Sequence, residues 1–189
     1  MTTLYEIINR ANQIAAGRVT DTENSMLADS EMTSEALFEH AMRYVFAEII
    51  KKGERLEDIR RVHTISFVSG EGTLPETVVR AAVKYGYVDD PTVAYLPPHV
   101  FTKKTRFRDL ISHFTVIESV IKYREAGKLS FTGDADFRFV TMPDKNAPPN
   151  GYLDDLDLDK SVVDDIVLVI AGALTGEIKI QELLDNQIY

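Results

Sequence analysis

Four groups of residues in this chain could do chemistry, and spacing decides what each can do. The run Asp155-Leu156-Asp157-Leu158-Asp159 sets three carboxylates at alternate positions, like the opening of a calcium loop. Such a loop needs a glycine at its sixth position and a glutamate at its last. Lys160 and Ile166 stand there instead. The aspartates fit better as anions before and within the first turn of a helix, where the dipole favours negative charge. Of the histidines, His40, His63, His99 and His113, no two are four residues apart, so a helical zinc pair is absent. His113, in an apolar stretch, reads as a satisfied, partly buried histidine in preference to a pH-sensitive group. Glu118, Glu125, Asp134 and Asp136 are dispersed carboxylates whose spacing fixes no acid–base separation.

The run Lys103-Lys104-Thr105-Arg106-Phe107-Arg108 is the one basic cluster. Its simpler and preferred reading is a solvated loop entering the next helix. Its functional role is contact with phosphate or with an acidic partner surface, which makes Lys103, Lys104, Arg106 and Arg108 candidate partner-binding residues. No phosphate loop, dinucleotide fingerprint or nucleophile elbow occurs, since Gly70-Glu71-Gly72 lacks the third glycine.

Composition narrows the class. With 189 residues, 44% hydrophobic, the chain can build a core without staples, and it has no cysteine for disulfides or thiolate metal sites. A formal charge of −9 argues against a broad grip on DNA and suits a surface past which DNA slides. The longest apolar run, 166–174, is about half the ~20 residues a membrane span needs, so it reads as a buried helix face. The N-terminus lacks the pattern of a signal peptide.

The elements that must position these residues follow from periodicity. Leu4, Ile7, Ile8, Ala11 and Ile14 predict a helix over 2–16, and residues 18–33 a long polar loop. Thr33 or Ser34 caps a second helix whose stripe runs from Leu37 to Ile50, closed by Lys51, Lys52 and Gly53. A short helical piece at 56–61 precedes a strand at 63–68, a turn at 70–72 and, after a turn at 75–78, a further strand. Asp89-Asp90-Pro91 is a turn and 92–96 a strand. Leu110, Ile111, Phe114, Ile117, Val120 and Ile121 predict helix within 106–126. Residues 127–132 and 137–143 predict a hairpin around the turn Gly133-Asp134-Ala135-Asp136, with Phe131, Phe137 and Phe139 on its inner face. A loop over 143–159 leads to a last long helix at 160–174 and a short one within 177–186. The class expected is α+β: a bundle of about four helices with a small, mainly antiparallel sheet, in a single domain spanning 1–189.

In order, then, come a helical N-terminal half, a Leu74-Pro75 opening onto strands, and Tyr123-Arg124-Glu125-Ala126-Gly127-Lys128-Leu129. A hairpin ending at Met142-Pro143 follows, and then Asp154-Asp155-Leu156-Asp157 ahead of an apolar helix. This layout resembles the head-to-tail adaptor (connector) proteins of tailed bacteriophages, including the tail tubular A type, over most of residues 33–176. The resemblance implies a virion structural protein, assembled in the host cytoplasm, in a ring of about twelve copies below the portal. It implies contacts with the portal and with tail or nozzle proteins, double-stranded DNA passing through without specific binding, and neither catalysis, cofactor nor membrane. Residues 177–189 would then be a docking arm, with Leu183, Leu184, Ile188 and Tyr189 as apolar anchors or, equally, as part of the chain's own core. The alternatives are a tail-completion or terminator ring protein, a small soluble enzyme or regulator built on dispersed acids such as Glu118 and Asp136, and an adaptor acting through its long loops.

Overall fold

The computed structural model describes residues 2–18, 33–88, 93–103, 111–128, 130–146, 151–153 and 155–185. The fold is mixed α+β, with five α-helices and two small sheets among these residues. The chain divides into two compact units: residues Met1–Ile59 with Pro143–Tyr189, and Arg60–Met142. The predicted loop over 18–33 lies almost wholly outside the described residues, as does the turn at 89–91.

The first unit is helical. It holds α1 (Leu4–Arg18), α2 (Ser34–Lys52), α4 (Lys160–Leu174) and the short α5 (Ile180–Asp185). The Thr33 hydroxyl accepts from the Ala36 amide at the start of α2, and Gly53, left-handed at φ 69°, closes its end through a bond to the Ile49 carbonyl. Leu37, Phe38, Ala41, Met42, Val45, Phe46 and Ile49 form the buried stripe of α2. Asp159 caps α4 by accepting from the Ser161 amide at 2.8 Å. On α4, Val162, Val163, Ile166, Val167 and Ile170 are buried, and the helix packs on both α1 and α2. Burying each such side chain contributes roughly 1.5–3 kcal/mol before entropy is charged against it. A Cβ at Gly172 would sit 2.9 Å from the end of the Ile178 side chain, which would have to shift to admit it.

The second unit is built on strands, with α3 (Pro98–Lys103) beside them. One sheet has the order β1-β7-β3: β1 (Arg60–Phe67), β7 (Gly133–Val140) and β3 (Tyr87–Val88), all antiparallel. The other has the order β2-β6-β5-β4: β2 (Glu71–Thr73), β6 (Val120–Arg124), β5 (Ser112–Ile117) and β4 (Val93–Tyr95). Only the β4–β5 pairing is parallel. Ser69 and Gly70, at φ 53° and 81°, make the tight turn between β1 and β2. Glycine is required at position 70, since a Cβ would lie 2.8 Å from the Tyr123 carbonyl oxygen. Between the sheets sits one aromatic core of Phe67, Phe114, Tyr123, Phe137 and Phe139 with Ile65, Leu74, Val78 and Ile121. Phe137 stacks on Phe139 at 5.6 Å and meets Phe114 edge-on at 5.3 Å.

Three expectations are corrected. The helix within 106–126 is instead the hairpin β5–β6 over its described part. The spacing of Phe114, Ile117, Val120 and Ile121 suits a helix, but β-branched and aromatic residues dominate, and Phe114, Ile121 and Tyr123 share one inward face. The turn Glu118-Ser119 carries no glycine or asparagine; Glu118 takes the left-handed conformation itself, at φ 55°. The hairpin between 127–132 and 137–143 is replaced by long-range pairing of β7 with β1, from Arg60↔Val140 to Phe67↔Gly133. Gly133–Asp136 is strand, not turn, and its aspartates serve outward cross-strand bonds. The strand expected after residue 78 is mostly a 3-10 helix, Arg80–Tyr85, with only Tyr87–Val88 extended.

The hydroxyl of Thr115, wholly buried on β5, has no hydrogen-bond partner. Thr115→Val keeps shape and removes that unanswered polar atom. It is expected to raise stability to urea by about 1 kcal/mol.

Candidate functional site

A concavity lies on the helical unit, between α2 and α4. It is an open groove of about 400 Å³. Val45 and Ile49, both buried, form its floor; Tyr44 and the 47% exposed Leu168 stand at its sides. Leu168 is the one large apolar side chain that α4 leaves in water, on a helix otherwise committed to the core.

One edge of the groove is a polar clasp centred on Arg55. Arg55, two residues beyond the capping Gly53 of α2, adopts φ 57°, an unusual conformation for a long side chain. That turn aims the guanidinium at α4. Its Nε donates to Asp58 at 2.9 Å, one terminal nitrogen to Asp165 at 2.8 Å, and the other to the Ser161 hydroxyl at 2.6 Å. Ser161 lies in turn 3.1 Å from Asp58 and 2.6 Å from Asp159. Hydrogen bonds to Asp58 and Asp165 raise the Arg55 pKa further, so it stays charged. Opposite, burial raises the Tyr44 phenol, helped by the Glu182 and Glu48 carboxylates. The groove can therefore receive an apolar side chain beside fixed charge. It holds no nucleophile–base pair.

A second clasp holds the chain that precedes α4. Tyr152, in the 3-10 turn Gly151–Leu153, donates to Glu39 on α2 at 3.2 Å, and Lys145 reaches the same oxygen at 3.4 Å. The Tyr152 ring packs edge-on against Phe38 at 5.2 Å. Burial, reinforced by the Glu39 carboxylate, pushes the Tyr152 phenol well above its usual range. Within the predicted loop over 143–159, Lys145 and Tyr152 are thus anchored to α2, and Asp155 accepts from the Thr2 amide at 3.0 Å.

The residues singled out by type do not converge. Asp134 and Asp136 point outward from β7 and accept from Ser66 at 2.6 Å and Thr64 at 2.7 Å. Glu118 occupies the β5–β6 turn, and Glu125 pairs with Lys128 at 2.7 Å. His113 is buried, as expected, but on a strand instead of a helix. His63 contacts the Thr141 hydroxyl at 2.8 Å; because that hydroxyl donates to the Phe139 carbonyl, Nε2 of His63 is the donor. Among the described residues no group of three or more His, Asp or Glu could hold a metal, and no helix is long and apolar enough to cross a membrane. Lys104, Arg106 and Arg108 lie outside the described residues, with Lys103 at the end of α3. Ile188 and Tyr189 also lie outside them. Leu183 is fully buried in the helical unit and so completes the chain's own core, while Leu184 is half-buried. Spacing alone missed the groove and its Arg55 clasp. The only hint was a pair of charged residues, Glu54-Arg55, following the capping Gly53.

No known family model matches this chain, and no curated protein matches it.

Two outcomes follow. Arg55→Met leaves Asp58 and Asp165 facing Ser161 without their cation, and is expected to cost about 1 kcal/mol in a denaturation curve, the exposed part of the clasp being screened by water. His63 has its pKa lowered from 6.5 by burial, so the unfolded chain binds the proton more readily than the folded one. That contribution to stability is present above pH 6.5 and is lost as pH falls through the depressed folded value. His63→Gln should flatten the fall in the urea midpoint between about pH 7.5 and about pH 5; a residual slope belongs to His40, whose pKa burial also lowers.

Proposed function

We propose that this chain is a virion structural protein, a head-to-tail connector subunit forming a ring below the portal of a tailed bacteriophage, through which DNA passes. The observation that carries this reading is the return of α4. The last long helix packs on α1 and α2, so both ends of the chain form one helical unit and residues 60–142 stand as an insertion in it. That arrangement supports the connector layout in part: two N-terminal helices, a β-rich middle that begins at Arg60, ahead of Leu74-Pro75, an acidic approach, then an apolar helix. On this reading α1, α2, α4 and the short α5 act as the four-helix bundle of such a subunit. The groove beside Leu168 gives that bundle the mixed apolar and charged surface that subunit interfaces use. Function then resides in assembly and docking on portal and tail proteins, not in a reaction.

Quantitative mass spectrometry of purified particles, scaled to the major capsid protein, tests this. About twelve copies per particle, co-purifying with the portal, is the expected result. Absence from particles, with the chain abundant in the soluble lysate, would sink it and favour an enzyme or regulator.

A further inference from the structure

The groove between α2 and α4 has the form of a furrow. Its α2 side follows one row of that helix, Tyr44, Glu48 and Lys52, each a turn beyond the last. That row spans about 12 Å at the α-helical rise. The floor, Val45 and Ile49, is again an apolar pair one turn apart, and the α4 side is Leu168 with the half-buried Val169. Two helices packed side by side leave such a furrow, and a third helix lies along both. Apolar residues one turn apart on that helix match the spacing of Val45 and Ile49, with Leu168 against its flank.

Charge decides which kind of helix fits. The charged lining gathers where α2 ends, as Lys52, Glu54, Arg55 and Asp165. Both cations are already engaged there. Arg55 is held by Asp58, Asp165 and Ser161, and Lys52 lies 3.7 Å from Glu48. Glu54 is exposed and has no ion pair among the described residues. An arriving cation therefore finds an anion ready for it, and an arriving anion finds two cations with partners. The formal charge of −9 is also divided unevenly. Residues 1–59 and 143–189 carry 21 acidic and 9 basic residues, a net −12; residues 60–142 carry 9 acidic and 12 basic, a net +3. The field of the helical unit thus attracts a basic partner and repels another acidic helical unit.

We propose that the α2–α4 groove is a docking site for a basic amphipathic helix of a partner protein. The apolar face of that helix covers Val45, Ile49 and Leu168, and a lysine or arginine on it pairs with Glu54. This rests on the reading of the groove as an interface and supplies the chemistry of what it receives. It also gives Leu168 a role, as an apolar anchor that is wet in the free chain and covered in the complex. Salt weakens the encounter through the exposed Glu54 and leaves the apolar contact in place.

Fluorescence anisotropy with the full chain tests the proposal, using three labelled synthetic peptides of equal length. The first sets leucines one helical turn apart on a lysine background. The second replaces its lysines with glutamates. The third keeps the composition of the first and scatters its leucines around the helix. The first should bind saturably and the other two at least about tenfold more weakly. Leu168→Arg should melt like the wild type and weaken the first peptide about tenfold, and Glu54→Lys about threefold. Leu153→Arg makes the same charge change at a leucine equally exposed in the same unit, and should leave binding unchanged. Equal binding of the scattered peptide, or equal loss with Leu153→Arg, overturns the proposal, because bulk attraction to an acidic surface would then suffice. Preference for the glutamate peptide overturns it, as does no binding of the first peptide at about 1 mM. Self-association that Leu168→Arg abolishes overturns it in favour of a second copy. Binding gained only when residues 186–189 are removed overturns it in favour of the chain's own residues. Copy number in particles is read separately. Peptide binding by a chain absent from particles upholds the groove and sinks the connector reading; about twelve copies per particle with no peptide binding does the reverse.

Discussion

The helical unit depends on one act of burial, the docking of α4. Its buried face is apolar throughout, valine and isoleucine in the first turns and Ala171 to Leu174 at the end, and an isolated helix of its length is marginal in water. Neither α1 nor α2 can cover its apolar stripe alone, since α1 packs far more against α4 than against α2. The partner of both arrives from the opposite end of the chain, more than a hundred residues later. The polar contacts around α4 only make sense after that arrival. The Arg55 clasp and the Tyr152–Glu39 bond each join chain segments that burial has already brought together. They set the register of the helix more than they hold it, because exposed charge pairs contribute little.

The β unit has a different organising element. β7 lies between β1 and β3, and its inward residues Phe137 and Phe139 sit at the centre of the aromatic core. Its outward residues Asp134 and Asp136 are occupied by hydroxyls on β1. One strand thus divides its alternate positions between core and solvent, which makes its register with β1 tightly specified.

What could be read from the sequence was local. α2 and α4 carry their caps and stripes within a single window, and both were legible, α4 to the residue. The α+β class was legible for the same reason. β5 and β6 were not, because their apolar residues satisfy both helical and alternating spacing, and the turn between them falls on Glu118-Ser119, which announces nothing. The partner of β7 was illegible because it lies far back along the chain, while aspartates at 134 and 136 imitate a turn. The groove was illegible too, since its floor comes from α2 and its exposed leucine from α4. The charge division was present in the composition throughout, but only the unit boundaries turn it into a pattern.

Where the insertion leaves and rejoins the helical unit, its two ends are paired neighbours, Arg60 opposite Val140. Beyond that point Val79 donates to the Val140 carbonyl and Met142 to the Thr77 carbonyl, extending the attachment at the same end. Tension applied through residues 59 and 143 would therefore act at adjacent ends of an antiparallel pair. The rungs would be loaded one after another, like a zipper opened from its tab, and not shared in shear along the strands. The β unit is thus mechanically soft along that direction.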